Sequence, residues 1–261
     1  MNMSKRISII ILTKDEEKQL ETCLKSVSFA DEIIIIDSGS TDKTLEIASK
    51  HTDIIIKHRF TDFSDLRNIG LKKANGDWIL YVDADEEITP ELKSEILFII
   101  KQKAIKTSAY FIQRSNYFLG RRWTKDDKVE RLFQKNKLSG WYGLVHESPI
   151  VDGETGELQN KLIHRTHNNL EEMLTNTIKW SDFEASARLK NHHPKITWWR
   201  VFRVMFGAFY NSYIKQQGFK AGTEGFIESV YQAFSMFITY AKLWEMQNTN
   251  QKIVVNNEKN Y

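Results

Sequence analysis

The chain reads as an α/β protein: a mostly parallel sheet flanked by helices, followed by a helical extension at the carboxyl end. Three observations predict this. Short, continuous apolar runs alternate with helical patterns through the first hundred residues. The last of these runs, Trp78–Val82 in NGDWILYVDADEEI, leads straight into a cluster of carboxylates. From Leu170 onward the pattern is helical and rich in aromatic side chains. Strand, helix, strand repeated in this way implies a parallel sheet with right-handed crossovers. A run that is apolar at every position suits a strand covered on both faces better than a half-wet hairpin.

Composition narrows the class. The 261 residues are 41% hydrophobic and 27% charged, as in a soluble globular protein, and the net charge of +3 is too small to argue for nucleic acid. A single cysteine, Cys23, excludes an internal disulfide and points to a reducing, cytoplasmic compartment. Lys5 and Arg6 precede the apolar Ile7–Leu12, but that run is short and gives way at once to TKDEE, unlike a secretory signal. No stretch of about eighteen uncharged apolar residues predicts a membrane-spanning helix.

In order, Ile7–Leu12 is the first strand, and Glu16–Val27 a helix with Leu20, Leu24 and Val27 inward. Glu32–Ile36 is the second strand and ends in DSGSTDKT. There Asp37 closes the strand, Gly39 permits a tight turn, and Ser40 or Thr41 caps a helix over Asp42–Ser49. Asp37 either completes this joint or hydrogen-bonds a ribose or base. Asp53–Lys57 is a short third strand, and Phe63–Ala74 a helix carrying Arg67 and Asn68. An arginine so placed is more often a solvated or paired surface charge.

The topology gathers Thr13, Asp37 and Asp83 at the carboxyl edge of the sheet, where open α/β sheets bind ligands. On an extended backbone Asp83 and Asp85 point to one side. Two such carboxylates about 4 Å apart near a surface repel by roughly 4 kcal/mol, which a divalent cation between them would relieve, Mg²⁺ or Mn²⁺ for hard oxygen ligands. The plainer reading is an acidic turn before a helix that starts near Thr89 and Pro90. The absence of GxGxxG after the first strand, and of GxxxxGK[ST] anywhere, argues against a dinucleotide fold and a P-loop.

The ordered segments IIILTKDEE, IIIIDSGSTDKT and LRNIGLKKANGDWILYVDADE resemble the nucleotide-sugar half of the family 2 glycosyltransferases. The DSGSTD form, with VHE and a helical region beyond it, resembles the lipopolysaccharide core β-1,4-glucosyltransferase branch over most of the chain. The resemblance implies a Rossmann-like GT-A fold and a nucleoside-diphosphate sugar donor, here a UDP-linked hexose such as glucose. It also implies Mn²⁺ or Mg²⁺, and an inverting transfer to a saccharide or lipid-linked saccharide acceptor. By residue, it places Thr13 and Glu16 in the nucleoside pocket, Asp37 on the uracil or ribose, and Arg67 near the base or diphosphate. Asp83 would touch ribose or metal, and Asp85 would be a direct metal ligand.

Further along, a helix from Pro90 through Lys101 turns Leu92, Ile96, Ile99 and Ile100 inward, and Ser108–Gln113 alternates as a strand. Tyr117–Trp123 reads as a turn at Gly120 with exposed arginines. Val129–Gln134 holds Arg131 in an R-L-F segment like the family's, where it would pair with phosphate or a carboxylate. In GWYGLVHESPIV the resemblance assigns Glu147 as the base that deprotonates the acceptor hydroxyl, with adjacent His146 as rival and substrate contact. NKLIHRTHN offers His164, or else His167, as the histidine that GT-A enzymes often add to the metal. The expected division is a GT-A domain over 1–168, with a donor half to about 105 and an acceptor half beyond. A helical region over 169–247 and a flexible tail over 248–261 complete it.

In the helical region, Leu170–Lys190 should pack through Trp180, Phe183 and Ala187. Residues 195–220 then hold five basic residues, no acidic ones and eight aromatics. Trp199, Phe202, Phe206, Phe209, Tyr210 and Tyr213 recur at helical spacing beside Arg200 and Arg203, the pattern of a helix lying in an anionic membrane surface. A second helix, Thr223–Glu245, carries Phe226, Val230, Phe234, Phe237, Ala241 and Trp244 on one side. The two helices therefore also suit a hairpin or a homo-oligomer, jointed at Gly218, Gly222 and Gly225. Together these readings describe an enzyme peripheral to the inner face of the cell membrane. Two other classes compete. A sugar-phosphate nucleotidyltransferase would need a glycine-rich basic loop that TKDEEKQ does not supply. A non-catalytic membrane-surface assembly protein would not be expected to retain Asp37, Asp83, Asp85 and Glu147 together.

Overall fold

The computed structural model describes residues 6–60, 62–102, 105–143, 147–167 and 169–258. The chain divides into two compact units, one formed by Met1–Asn116 and Asp126–Thr166, the other by Tyr117–Lys125 and His167–Tyr261.

The first unit is built on β1 (Ile7–Thr13), β2 (Glu32–Asp37), β3 (Ile55–Lys57) and β4 (Trp78–Asp83), parallel and in the order β3-β2-β1-β4. Every residue of β1 is buried. Ile9 and Ile11 join Ile35, Leu80 and Val82 in the core on one face, while Ile10 and Leu12 join Ile34, Ile36 and Tyr81 on the other. Two covered faces explain why these strands are apolar throughout. The flanking helices are α1 (Leu20–Ser26), α2 (Thr44–Ala48), α3 (Phe63–Lys73) and α4 (Pro90–Ile100). Asp62 caps α3 by accepting from the Asp65 amide, and Thr89 caps α4 at the Leu92 amide. Gly70 lets α3 close on the sheet: a Cβ there would lie 2.5 Å from Ile10 Cγ2.

Beyond β4 the sheet turns antiparallel. β5 (Glu86–Ile88), β6 (Thr107–Phe118), β7 (Arg121–Arg122), β8 (Asp127–Gln134) and β11 (Glu154–His167) extend it in the order β4-β8-β6-β11-β5, with β7 on β6. β9 (Leu138–Tyr142) and β10 (Ser148–Val151) form a separate ribbon.

Two helix starts differ from expectation. α1 begins at Leu20 rather than Glu16, and α2 at Thr44 rather than Asp42, because the preceding loops hold each other. Asp15, at φ 55°, accepts from the Thr41 amide at 2.8 Å, the Glu16 amide donates to Thr44 Oγ1 at 2.7 Å, and the Lys43 amide donates to Glu17. Ser40 and Thr41 serve this tie and cap no helix; the N-cap residue of α2, Lys43, makes no side-chain cap bond, and the Thr44 amide donates to the Asp42 carboxylate at 2.9 Å.

In the second unit, Tyr117 and Phe118 at the end of β6 pair with β7 across a turn in which Gly120 takes φ 78°. The helices are α5 (Leu170–Lys190), α6 (Trp198–Tyr210) and α7 (Gly222–Glu258), and α7 packs against both others. α5 buries Met173, Thr177, Ser181 and Ala185, not the expected Trp180, Phe183 and Ala187; Phe183 is 40% exposed. Small side chains four apart let α7 approach closely, and Tyr231 hydroxyl donates to the Met173 carbonyl and accepts from Thr177. α7 runs to Glu258, beyond the Glu245 expected for the second helix, and no glycine or proline follows Gly225 within it. Among the described residues no helix is long and apolar enough to cross a membrane.

Candidate active site

The extended backbone expected through the D-A-D-E run is broken after Asp83. β4 ends at Asp83, and Ala84 and Asp85 form a turn before β5 starts at Glu86. With extension broken, the two-residue alternation of a strand no longer applies to the pair, and each carboxylate has its own partners. Asp83 bonds Arg131 and, at 3.3 Å, Arg67; Asp85 Oδ2 lies 3.0 Å from His164 Nε2. Asp83 is charge-paired by two guanidinium groups. Burial raises the pKa of Asp83, but Arg131, Arg67 and Arg114 outweigh it and hold the carboxyl well below the usual range. Burial likewise weakens the charge on Arg131, and Asp83 and Glu86 more than restore it.

Glu86, whose side chain is fully buried, supports this pairing. It accepts from the Asp83 amide at 2.9 Å, from Arg131 at 3.2 Å and from Arg114 at 3.4 Å. Sequence reasoning assigned no role to Glu86, Arg114 or Asp127. Arg114 and Asp127 carry no motif, and only tertiary pairing brings them here.

Arg67 is no surface charge: α3 turns it inward and leaves it 3% exposed. Its Nε and Nη2 donate to Glu147 Oε1 at 3.0 and 2.9 Å, so one guanidinium bridges Glu147 and Asp83. The same group lies 4.9 Å from the ring centre of Trp141 and 5.3 Å from that of Tyr81, where cation–π attraction adds to the pairing. Asn68 pins β9 beside α3 by exchanging two hydrogen bonds with the Trp141 backbone. His146, the rival base, lies outside the described residues.

Thr13 and Asp37 are register partners on β1 and β2, and Asp83 pairs with Leu12 on the next strand, so the three do meet at one edge. The pleat divides them, however. Thr13 and Asp37 continue the face of Ile11 and Ile35, while Asp83 continues that of Tyr81. Asp37, 1% exposed, accepts from the Gly39 amide at 3.0 Å and from the Ser40 amide and hydroxyl, with Gly39 at φ 101°. Its carboxylate thus organises the turn. Thr13 Oγ1 is buried with no hydrogen-bond partner among the described residues, and Glu16 is tied by its amide to Thr44.

His164 comes from β11. Burial draws its pKa down, and Asp85 reverses this to leave it above the ordinary value. Its Nδ1 lies 2.7 Å from Asn116 Oδ1. A carboxylate oxygen facing an imidazole nitrogen whose other nitrogen is held from behind is a donor set suited to a divalent ion. Among the described residues no group of three His, Cys, Asp or Glu side chains is placed to hold a metal, so such an ion would take two protein ligands and leave room for phosphate oxygens or water.

A parallel half joined through β4 to an antiparallel half, with the charged cluster at the carboxyl edge of the parallel strands, is the GT-A architecture of glycosyltransferases. Residues 8–149 match the model of Glycosyl transferase family 2, and the chain belongs to that family. The nucleotidyltransferase alternative falls with that membership. An uncharacterised glycosyltransferase of Rickettsia conorii is 26% identical over 99% of this chain and 96% of its own. The lipopolysaccharide core biosynthesis glycosyltransferase LpsC of Rhizobium meliloti is 26% identical over 92% of each chain. Among solved structures, S. aureus TarS 1–349 in complex with UDP-GlcNAc is 14% identical, with a TM-score of 0.46 over 94% of this chain and 92% of that one.

Proposed function

We propose that the chain is a metal-dependent, inverting hexosyltransferase that moves glucose from a UDP-sugar to a saccharide or lipid-linked saccharide in cell-envelope glycan synthesis. The observation that carries this reading is the Arg67 guanidinium held between Glu147 and Asp83 at the carboxyl edge of the sheet. It brings a carboxylate able to take a proton next to a cation able to meet a departing phosphate. The near full-length similarity to LpsC supports a lipopolysaccharide-type acceptor.

In this mechanism Glu147 removes the proton of the acceptor hydroxyl as that oxygen bonds to the anomeric carbon. The bond from that carbon to the diphosphate breaks on the opposite face, and UDP leaves with the bonding pair. Arg67 orients Glu147, and Arg67 with Arg131 supplies fixed positive charge for the leaving group, the electrostatic share of such catalysis. Asp83 and Glu86 hold the two arginines in place. Thr13, Glu16 and Asp37 would line the nucleoside. Asp85 and His164 would hold Mn²⁺ or Mg²⁺, which when bound neutralises diphosphate charge.

The helical unit supports attachment at an anionic membrane surface. No residue of α6 is buried; Trp198, Phe202 and Phe206 are 76%, 66% and 71% exposed, and Arg200 and Arg203 lie over the Trp199 ring. Cations beside an indole at headgroup depth favour anionic lipid. If this surface instead joins copies of the chain, light scattering will show a concentration-dependent mass and vesicles will not bind.

The function is tested by incubating purified protein with UDP-glucose and other nucleoside-diphosphate sugars, with and without Mn²⁺. Release of UDP from UDP-glucose, dependent on Mn²⁺, is the expected result. Silence with every donor under every metal would overturn the proposal and favour an assembly role.

A further inference from the structure

The three side chains behind His164 form a chain whose hydrogen positions are dictated. Asp127 is gripped by Arg114 through Nε at 3.1 Å and Nη2 at 2.5 Å, and burial of Asp127 is outweighed by that arginine, so the carboxyl is ionised. An ionised carboxylate only accepts hydrogen bonds. The Asn116 nitrogen, 2.8 Å from Asp127 Oδ1, is therefore the amide NH₂, which turns the Asn116 carbonyl oxygen to His164 Nδ1 at 2.7 Å. That oxygen also only accepts, so Nδ1 carries the hydrogen. Nε2 is the nitrogen left to face Asp85.

We propose that Asn116, oriented by Asp127 and Arg114, is a positioning residue that fixes the His164 tautomer and aims Nε2 at the divalent ion shared with Asp85. The inference rests on the reading of Asp85 and His164 as the metal pair. A ring so backed cannot rotate its other nitrogen toward the metal without leaving Nδ1–H unpaired, and outer-shell partners of this kind are typically worth about 10- to 100-fold in metal affinity. Among the described residues the side chain of Asn116 hydrogen-bonds Asp127 and His164, and His164 is the proposed ligand it holds, so its effect passes through the ring.

The experiment titrates Mn²⁺ into the full chain with UDP present, reading affinity from the free-Mn²⁺ resonance and imidazole ligation from nitrogen coupling in pulsed electron paramagnetic resonance. Wild type should show nitrogen coupling that His164→Ala lacks. Its absence in wild type would overturn the metal reading itself. Given that coupling, Asn116→Leu should weaken Mn²⁺ about 10- to 100-fold and diminish the coupling, with the metal-free melting temperature read alongside. Wild-type affinity and coupling in Asn116→Leu would overturn the positioning role while leaving the metal pair standing. Should that variant fail to fold, Asp127→Asn decides by the same two readings, since it frees the Asn116 amide to flip without touching the ring.

Discussion

Arg131→Met tests whether the buried charges of the site depend on one another. Arg131 and Glu86 have side chains 6% and 0% exposed, and removing one partner of such a pair typically costs about 3–5 kcal/mol, because the other is left as a buried, uncompensated charge. Here the cost should sit at the low end, about 3 kcal/mol, since Asp83 keeps Arg67 at 3.3 Å and Glu86 keeps Arg114 at 3.4 Å and the Asp83 amide at 2.9 Å. At roughly 2–4 °C per kcal/mol for a chain of this size, the melting point falls by about 6–12 °C. Removing the stranded charge as well should restore stability, so Glu86→Gln combined with Arg131→Met should be more stable than Arg131→Met alone, with a coupling of about 2 kcal/mol. Urea unfolding followed by near-ultraviolet circular dichroism measures this, because Trp78, Tyr81 and Phe133 are fully buried in the first unit. A loss below about 1 kcal/mol for the single variant, or strict additivity in the double, would refute the interdependence of these charges.

Glu147→Gln should lower turnover by about 10² to 10⁴ while a carbonyl oxygen still accepts from Arg67, so donor affinity measured by calorimetry should stay within about threefold; loss of donor binding would remove Glu147 from the role of base. Asp83, whose carboxyl is held far below its unfolded value of about 3.9, contributes stability that is complete above that value and is lost as pH falls through the lower folded one. Urea midpoints should accordingly drop below about pH 4 in the wild type and less steeply in Asp83→Asn. Gly225→Ala would place a Cβ 2.0 Å from the Gly218 carbonyl oxygen and should destabilise the helical unit by about 1–3 kcal/mol, read as an earlier loss of far-ultraviolet signal on heating.

The parallel half was legible in the sequence because burial on both faces writes itself as an unbroken apolar run. β1, β2 and β4 each show one, and their register carries Thr13, Asp37 and Asp83 to one edge without further information. Helix starts were legible where a capping side chain acts locally, as at Thr89, and were misplaced where distant loops bind each other, as between Asp15–Glu17 and Thr41–Thr44. In α5 the aromatic spacing pointed to the wrong face, because the helix is placed by how closely α7 can approach and not by where its largest side chains lie.

The sequence by itself determined the family, the strand ends that carry the acids, and the Glu147, Asp85 and His164 positions worth watching. The strand ends follow from local order along the chain, and the other positions from the resemblance of its motifs to the family. Only the tertiary structure decided what each charge faces: that Asp83 meets two arginines and Asp85 meets His164, that Arg67 lies inside against Glu147, and that Glu86, Arg114, Asn116 and Asp127 stand behind the site. Electrostatic partners act through space, as Arg67 and Glu147 do from 80 positions apart, and no periodicity in a sequence encodes such a distance.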